Sequence, residues 1–137
     1  MEIKKIAAKD TWDVRHRVMW PNENIAYVQL PEDDEGIHYG LFKDSELISV
    51  ISVFFRDGEA QFRKFATDKN EQGRGYGSAL LSYLMEEIRQ KDVTKVWCNA
   101  RSEKTLFYQK FGMEIRGEKY YRGSIEYVKM EKTFSPL

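Results

Sequence analysis

Residues Gln72-Gly73-Arg74-Gly75-Tyr76-Gly77 constrain this chain more than any other stretch, because of what stands on either side of them. Before them, Ala60 to Thr67 is an extended, strand-like run that ends in the polar turn Asp68-Lys69-Asn70-Glu71. After them, Leu81, Leu84, Met85 and Ile88 recur at helical spacing. Strand, glycine-rich turn and helix in that order bring backbone N–H groups and a helix N-terminus to one point, which is an anion site. Three glycines in five residues let the main chain approach a pyrophosphate with no Cβ in the way. Arg74 adds a fixed positive charge. The expected ligand is a nucleotide-like pyrophosphate; the competing reading is an ordinary turn.

Two common phosphate loops do not fit. A Walker loop ends in Gly-Lys-Ser/Thr, whereas Gly77 is followed by Ser78 with no lysine. A dinucleotide fingerprint needs G-x-G-x-x-G and an acidic residue about 20 positions later. Here Ser78 stands at the third glycine position, and Lys95-Val96-Trp97 where the acid belongs.

The 137 residues suffice for one domain with a proper core, and no linker or repeat marks a second. Lys plus Arg equals Asp plus Glu at 22 each, so no overall field draws nucleic acid or an anionic membrane. A single cysteine cannot form an internal disulfide and suits a reducing cytosol. No apolar run reaches the length of a membrane span, and the charged N-terminus shows no secretory signal. A cytoplasmic protein is expected.

The pattern reads β, α, irregular, β, β, β, α, β, α, β, β. Glu2 to Ala7 is a strand, and Asp10 caps a helix through Met19 that stops at Pro21. Asn22 to Gly36 is a loop or short helix. His38 to Phe42 and Leu47 to Phe55 form a hairpin, and Arg56-Asp57-Gly58 turns into the next strand. Val93 to Arg101 is a strand and Glu103 to Phe111 a short helix ended by Gly112. Glu114 to Tyr121 and Ile125 to Lys132 are the last strands. The fold class is α+β or mixed α/β, with one largely antiparallel sheet.

In the Val96 to Arg101 strand, alternation puts Val96, Cys98 and Ala100 on one face and Trp97, Asn99 and Arg101 on the other. The first set reads as core, which makes Cys98 a packing residue and not a nucleophile. The second places an amide and a guanidinium at the strand's carboxyl end, where open sheets keep their ligand crevices. A helix-entry turn and a surface charge explain Asn99 and Arg101 equally. Tyr108, between Phe107 and Phe111, reads either as a packed aromatic or as a phenol able to protonate a leaving thiolate.

Q-x-x-G-x-G, a strand, then Phe107-Tyr108-Gln109-Lys110-Phe111-Gly112-Met113 resembles the core of the GNAT superfamily of N-acetyltransferases. Asp10-Thr11, Arg15-His16-Arg17-Val18, Pro21-Asn22, His38-Tyr39-Gly40 and Trp97-Cys98-Asn99-Ala100-Arg101 resemble, more narrowly, the branch containing glyphosate N-acetyltransferase. The resemblance implies acetyl-coenzyme A as cosubstrate and direct transfer to a small amine, with no metal and no covalent enzyme intermediate. It implies that Phe65, Ala66 and Thr67 hold the pantetheine arm. Gln72, Gly73, Arg74, Gly75, Tyr76, Gly77 and Ser78 hold the pyrophosphate. Arg63 and Arg101 match arginines that hold an acidic substrate, with Asn99 beside them, and Tyr108 matches the proton donor. That branch's third substrate arginine falls on Trp20, and its histidine base near Tyr127, so neither glyphosate as acceptor nor the base carries over. His38 is a second candidate to poise a water, against a structural role; His16 reads as a surface or capping residue. A monomer or homodimer is expected. The reading from another class is a non-catalytic coenzyme A-binding or regulatory module.

Overall fold

In the computed structural model, which describes residues 1–134, strand β1 (Glu2–Ile6) passes into helix α1 (Ala8–Met19), followed by single 3-10 turns at Ile25–Val28 and Asp33–Glu35. Strands β2 (Ile37–Lys43), β3 (Glu46–Arg56) and β4 (Glu59–Thr67) come next, then helix α2 (Tyr76–Arg89) and strand β5 (Lys95–Arg101). Helix α3 (Thr105–Gln109) and strands β6 (Glu114–Arg122) and β7 (Ile125–Thr133) complete the order. The element order matches the pattern read from the sequence. One detail is corrected: Ala7, not Asp10, is the N-cap of α1. Asp10 lies inside the first turn, and its carboxylate accepts the Ala7 N–H at 3.0 Å, the back-reaching half of a capping box.

The strands form one sheet in the order β1-β2-β3-β4-β5-β7-β6, antiparallel everywhere except between β4 and β5. Two-residue turns close the β2–β3 and β3–β4 hairpins, with positive φ at Asp44, Ser45, Asp57 and Gly58, the backbone that matches strand twist. Ile51 and Val53 of β3 pack with Leu80, Leu81, Leu84 and Ile88 of α2. Val50, one position off in parity, packs with Val14 of α1 on the opposite face. The two helices therefore sandwich the sheet.

Two irregularities prepare a site. The parallel β4–β5 ladder holds only for Glu59↔Lys95, Ala60↔Val96 and Gln61↔Trp97; beyond it the strands part. On the other side of β4, Val50 pairs with Ala66 but Ser52 with Arg63, so Ile51 stands opposite both Lys64 and Phe65. That bulge carries Lys64 at φ 55°, inside a strand and without glycine's freedom.

Candidate active site

The gap between β4 and β5 is a cleft of about 680 Å³. Phe62 to Thr67 form one wall and Cys98 to Arg101 the other, while Gln72, Gly73, Gly75, Gly77 and Ser78 lie at its end. Phe107 and Tyr108 bound it on the α2 face of the sheet, and Val18 and Met19 of α1 on the other. The cleft thus passes through the sheet. Past Gln61, β4 has no ladder partner on the β5 side, which leaves main-chain N–H and C=O groups there for a ligand.

The glycine loop fits a pyrophosphate. Gly73 (φ 78°) and Gly75 (φ 88°) occupy left-handed backbone, and a Cβ built on either meets nothing within 4 Å. Gly75 is the N-cap of α2 and supplies no side-chain cap, so the first N–H groups of this 14-residue helix are left without an intrahelical acceptor. Gln72 Nε2 donates to Thr67 O at 2.9 Å and ties the loop to the strand. Thr67 Oγ1 in turn lies 2.8 Å from Ser49 Oγ.

Tyr108 stands against Phe62 (5.8 Å between ring centroids) and Phe107 (5.2 Å). Burial, with Cys98 nearby, pushes its phenol well above the ordinary value, so the proton stays on across physiological pH. Cys98 is 3% exposed, and burial pushes its thiol up to about 12, which suits packing and not nucleophilic attack. Val96 and Ala100 are buried with it, in line with the alternation read from the sequence.

On the α1 face, Arg63, Asn99, Arg101 and Tyr127 line the cleft together. Arg101 and Tyr127 are cross-strand partners, and the Tyr127 ring stacks on Tyr120 at 5.8 Å. Arg63 is ion-paired with Glu32 and lies over the Phe54 ring, whereas Arg101 forms no ion pair among the described residues. Lys64, which the sequence reading passed over, lies in the same wall. Burial first, then the guanidiniums of Arg63, Arg15 and Arg122, hold its pKa below the usual lysine value, with Asp33 acting in the opposite direction. The alternating pattern of β4 concealed it, because only the bulge turns Lys64 toward the cleft.

Four expected site residues stand elsewhere. Trp20 caps the end of α1 with its ring 5.0 Å from Tyr27 and does not line the cleft; Val18 and Met19 do. His38 is buried by packing against the segment before β2. Its Nε2–H donates to Asp33 O at 2.8 Å, and its Nδ1 lies 2.6 Å from Ser52 Oγ, so neither nitrogen reaches a water in the cleft. Arg74 pairs with Glu71 at 3.5 Å and its side chain does not line the cleft, and Tyr76 turns its ring into the core beneath Lys43. Their backbone alone belongs to the loop. His16 bonds Glu23 O through Nε2, closing the end of α1.

Residues 20–134 match the model of the acetyltransferase (GNAT) domain family. A Bacillus subtilis (strain 168) relative, "Uncharacterized N-acetyltransferase YitI", is 30% identical over 129 residues, spanning 88% of this chain and 87% of its own. The ribosomal-protein-S18-alanine N-acetyltransferase of Escherichia coli shares the fold with a TM-score of 0.81 at 18% identity, over 99% of this chain and 95% of that one. An aminoglycoside 6'-N-acetyltransferase complexed with coenzyme A does so with a TM-score of 0.78 at 15% identity, over 100% and 99%.

Proposed function

Because the chain belongs to the GNAT family of acetyltransferases, we propose that it moves an acetyl group from acetyl-coenzyme A directly to a small amine bearing an anionic group. The observation that carries this reading is the gap between β4 and β5. It opens on the α2 face to the glycine loop and Tyr108, and on the α1 face to Arg63 and Arg101. Cosubstrate and acceptor then meet from opposite sides of the sheet.

Acetyl-coenzyme A supplies an acetyl group activated as a thioester. The free N–H groups at the start of α2, with Gly73 and Gly75 open to close approach, take up the pyrophosphate charge. Main-chain groups of Phe65 to Thr67, without a ladder partner on the β5 side, suit the amides of the pantetheine arm. A backbone N–H at the β4 bulge stabilises negative charge developing on the acetyl oxygen. Tyr108 holds a proton where the departing thiolate needs one. Arg63 and Arg101 orient the acceptor by a carboxylate or phosphonate, which guanidinium binds in bidentate fashion. Tyr127, beside Arg101, positions the amine, which enters already neutral.

Release of coenzyme A thiol, followed across amino acids, aminophosphonates, polyamines and aryl amines, tests the reading. Turnover concentrated in anionic amines supports it. Preference for polyamines or neutral aryl amines over every anionic amine overturns the arginine assignment.

A further inference from the structure

We propose that the chain acetylates itself on Lys64: with acetyl-coenzyme A bound and the acceptor side of the cleft empty, the Lys64 amine attacks the thioester and keeps the acetyl group as an amide. This inference rests on the proposed use of acetyl-coenzyme A and adds a modification site to the same cleft.

Position makes the case. The thioester has to come to the β4 bulge, where the strand has parted from β5 and a backbone N–H awaits the acetyl oxygen. Lys64 is the residue at that bulge, at φ 55°, and its side chain lines the cleft. The charged groups around it are Arg63 of its own strand, Arg15 of α1, Arg122 of β6 and Asp33 of the turn before β2. Arg15 and Asp33 are bonded to one another on the α1 face, which places the lysine on the acceptor side, across the sheet from Tyr108. Nucleophile and proton donor therefore flank the thioester from opposite faces, as an acceptor amine and Tyr108 do in the proposed transfer.

The surroundings also favour the reactive form. Only an unprotonated amine attacks a carbonyl, and an ammonium held by a carboxylate does not. Asp33 is taken through both oxygens by Arg15, and Glu32 by Arg63. Lys64 itself forms no ion pair or hydrogen bond among the described residues. Burial and the three guanidiniums disfavour its charge, so it carries more free amine than an ordinary lysine. Lys104 also lines the cleft but is exposed, where water solvates its ammonium.

The step balances without a further reactant. The Nζ lone pair forms a C–N bond to the thioester carbon, and the C–S bond breaks. Tyr108 gives the departing sulfur a proton, and the proton lost from Nζ to solvent is matched by one that restores the phenol. The products are coenzyme A thiol and acetyl-Lys64. An amide does not pass its acetyl group on, so the modified chain is an end product and not an intermediate of the transfer to amines.

The test incubates the parent and Lys64→Arg with acetyl-coenzyme A and no amine, and follows intact mass and peptide mapping over time. Lys64→Arg keeps the positive charge and the same backbone demand, and a guanidinium stays protonated and does not take the acetyl group. The parent should gain one acetyl group, on Lys64, roughly a hundredfold or more faster than on Lys104, because the thioester is held beside it. The rate should saturate with acetyl-coenzyme A, fall with added coenzyme A and be independent of protein concentration. Lys64→Arg should lack this fast step. Acetylation of Lys64 no faster than of Lys104, a rate indifferent to coenzyme A, or an equal fast step in Lys64→Arg overturns the proposal. Release of coenzyme A thiol with anionic amines, run in parallel, separates the two readings. Amine turnover with Lys64 unmodified removes self-acetylation and leaves the transferase. Saturable acetylation of Lys64 with no amine turned over upholds the site and removes transfer to a small amine.

Discussion

Removing a single oxygen separates the two roles open to Tyr108. Tyr108→Phe keeps the contacts with Phe62 and Phe107 and takes away only the proton. Loss of a general acid lowers kcat by ~10²–10⁴-fold, with little change in the KM for acetyl-coenzyme A. An unchanged kcat in steady-state assays makes the tyrosine a packing residue. Lys64 calls for a stability measurement. Left-handed backbone costs a residue with a Cβ roughly 1–2 kcal/mol, and the extra freedom of glycine in the unfolded chain returns part of that. Lys64→Gly should therefore raise stability at pH 7 by about 1 kcal/mol from the backbone alone. The charge adds a pH dependence of known sign. With its folded pKa below the ordinary lysine value of 10.5, Lys64 binds fewer protons folded than unfolded in that interval, so the parent gains stability as pH rises toward 10.5. The advantage of Lys64→Gly is fullest below the folded pKa and shrinks to the backbone part by pH 10.5. Denaturant midpoints at both pH values check this; a variant less stable than the parent at pH 7 removes the strain argument. Nothing in the sequence announces Lys64, because its orientation depends on which β3 residues oppose it.

The glycine loop, as an element, was legible because its chemistry is local: the strand before it, three glycines and a helical repeat after it lie within about thirty consecutive positions. Its side chains were less legible than its backbone. Arg74 pairs with Glu71, three positions before it, and Tyr76 packs into the core beneath Lys43, a partner that no local pattern announces. A prediction follows for the backbone. Gly75→Val puts a branched side chain into open space over the cleft and should abolish acetyl-coenzyme A binding in calorimetry. Strain at φ 88° costs the fold something as well, so a matched control is needed. Gly58, at φ 76° in the β3–β4 turn with equally open surroundings, provides it. Gly58→Val should lose comparable stability, roughly 1–2 kcal/mol, and bind acetyl-coenzyme A as the parent does. Equal binding by the two variants removes the loop assignment.

Across the whole molecule, the strand order and the through-sheet cleft were the least legible features. Each strand is visible from alternation, but the ladder between β4 and β5 ends after three pairs for reasons of twist and register that no local pattern records. The same holds for Glu32, thirty-one positions from Arg63 along the chain. It is delivered by a buried network that no motif marks. Arg15 grips Asp33 through both carboxylate oxygens at 2.9 and 3.0 Å, and also bonds Val28 O and Ser52 Oγ. Trp12 Nε1 and Leu30 N–H complete the set around Asp33. Burial raises the Asp33 pKa, but the Arg15, Leu30 and Trp12 donors together hold it below the ordinary aspartate value of 3.8. A carboxylate with a lowered folded pKa contributes stability that is complete above the unfolded value and lost as pH falls through the folded one. Asp33→Asn leaves the Arg15 guanidinium buried without a counter-charge, which costs about 3–5 kcal/mol at pH 7. Against a total of roughly 5–15 kcal/mol for a domain, that is a large share. The variant should also lose Asp33's share of the parent's fall in stability below pH 3.8, while Asp68, whose pKa Arg17 lowers, keeps its own. Because Glu32 adjoins Asp33, loosening the segment frees Arg63, so the KM for an anionic acceptor should shift more than that for acetyl-coenzyme A. Urea unfolding at pH 7 and pH 3, with both KM values, decides the matter. A loss under about 1 kcal/mol at pH 7 would mean that Arg15 finds another partner and that the network does not set the acceptor side of the cleft.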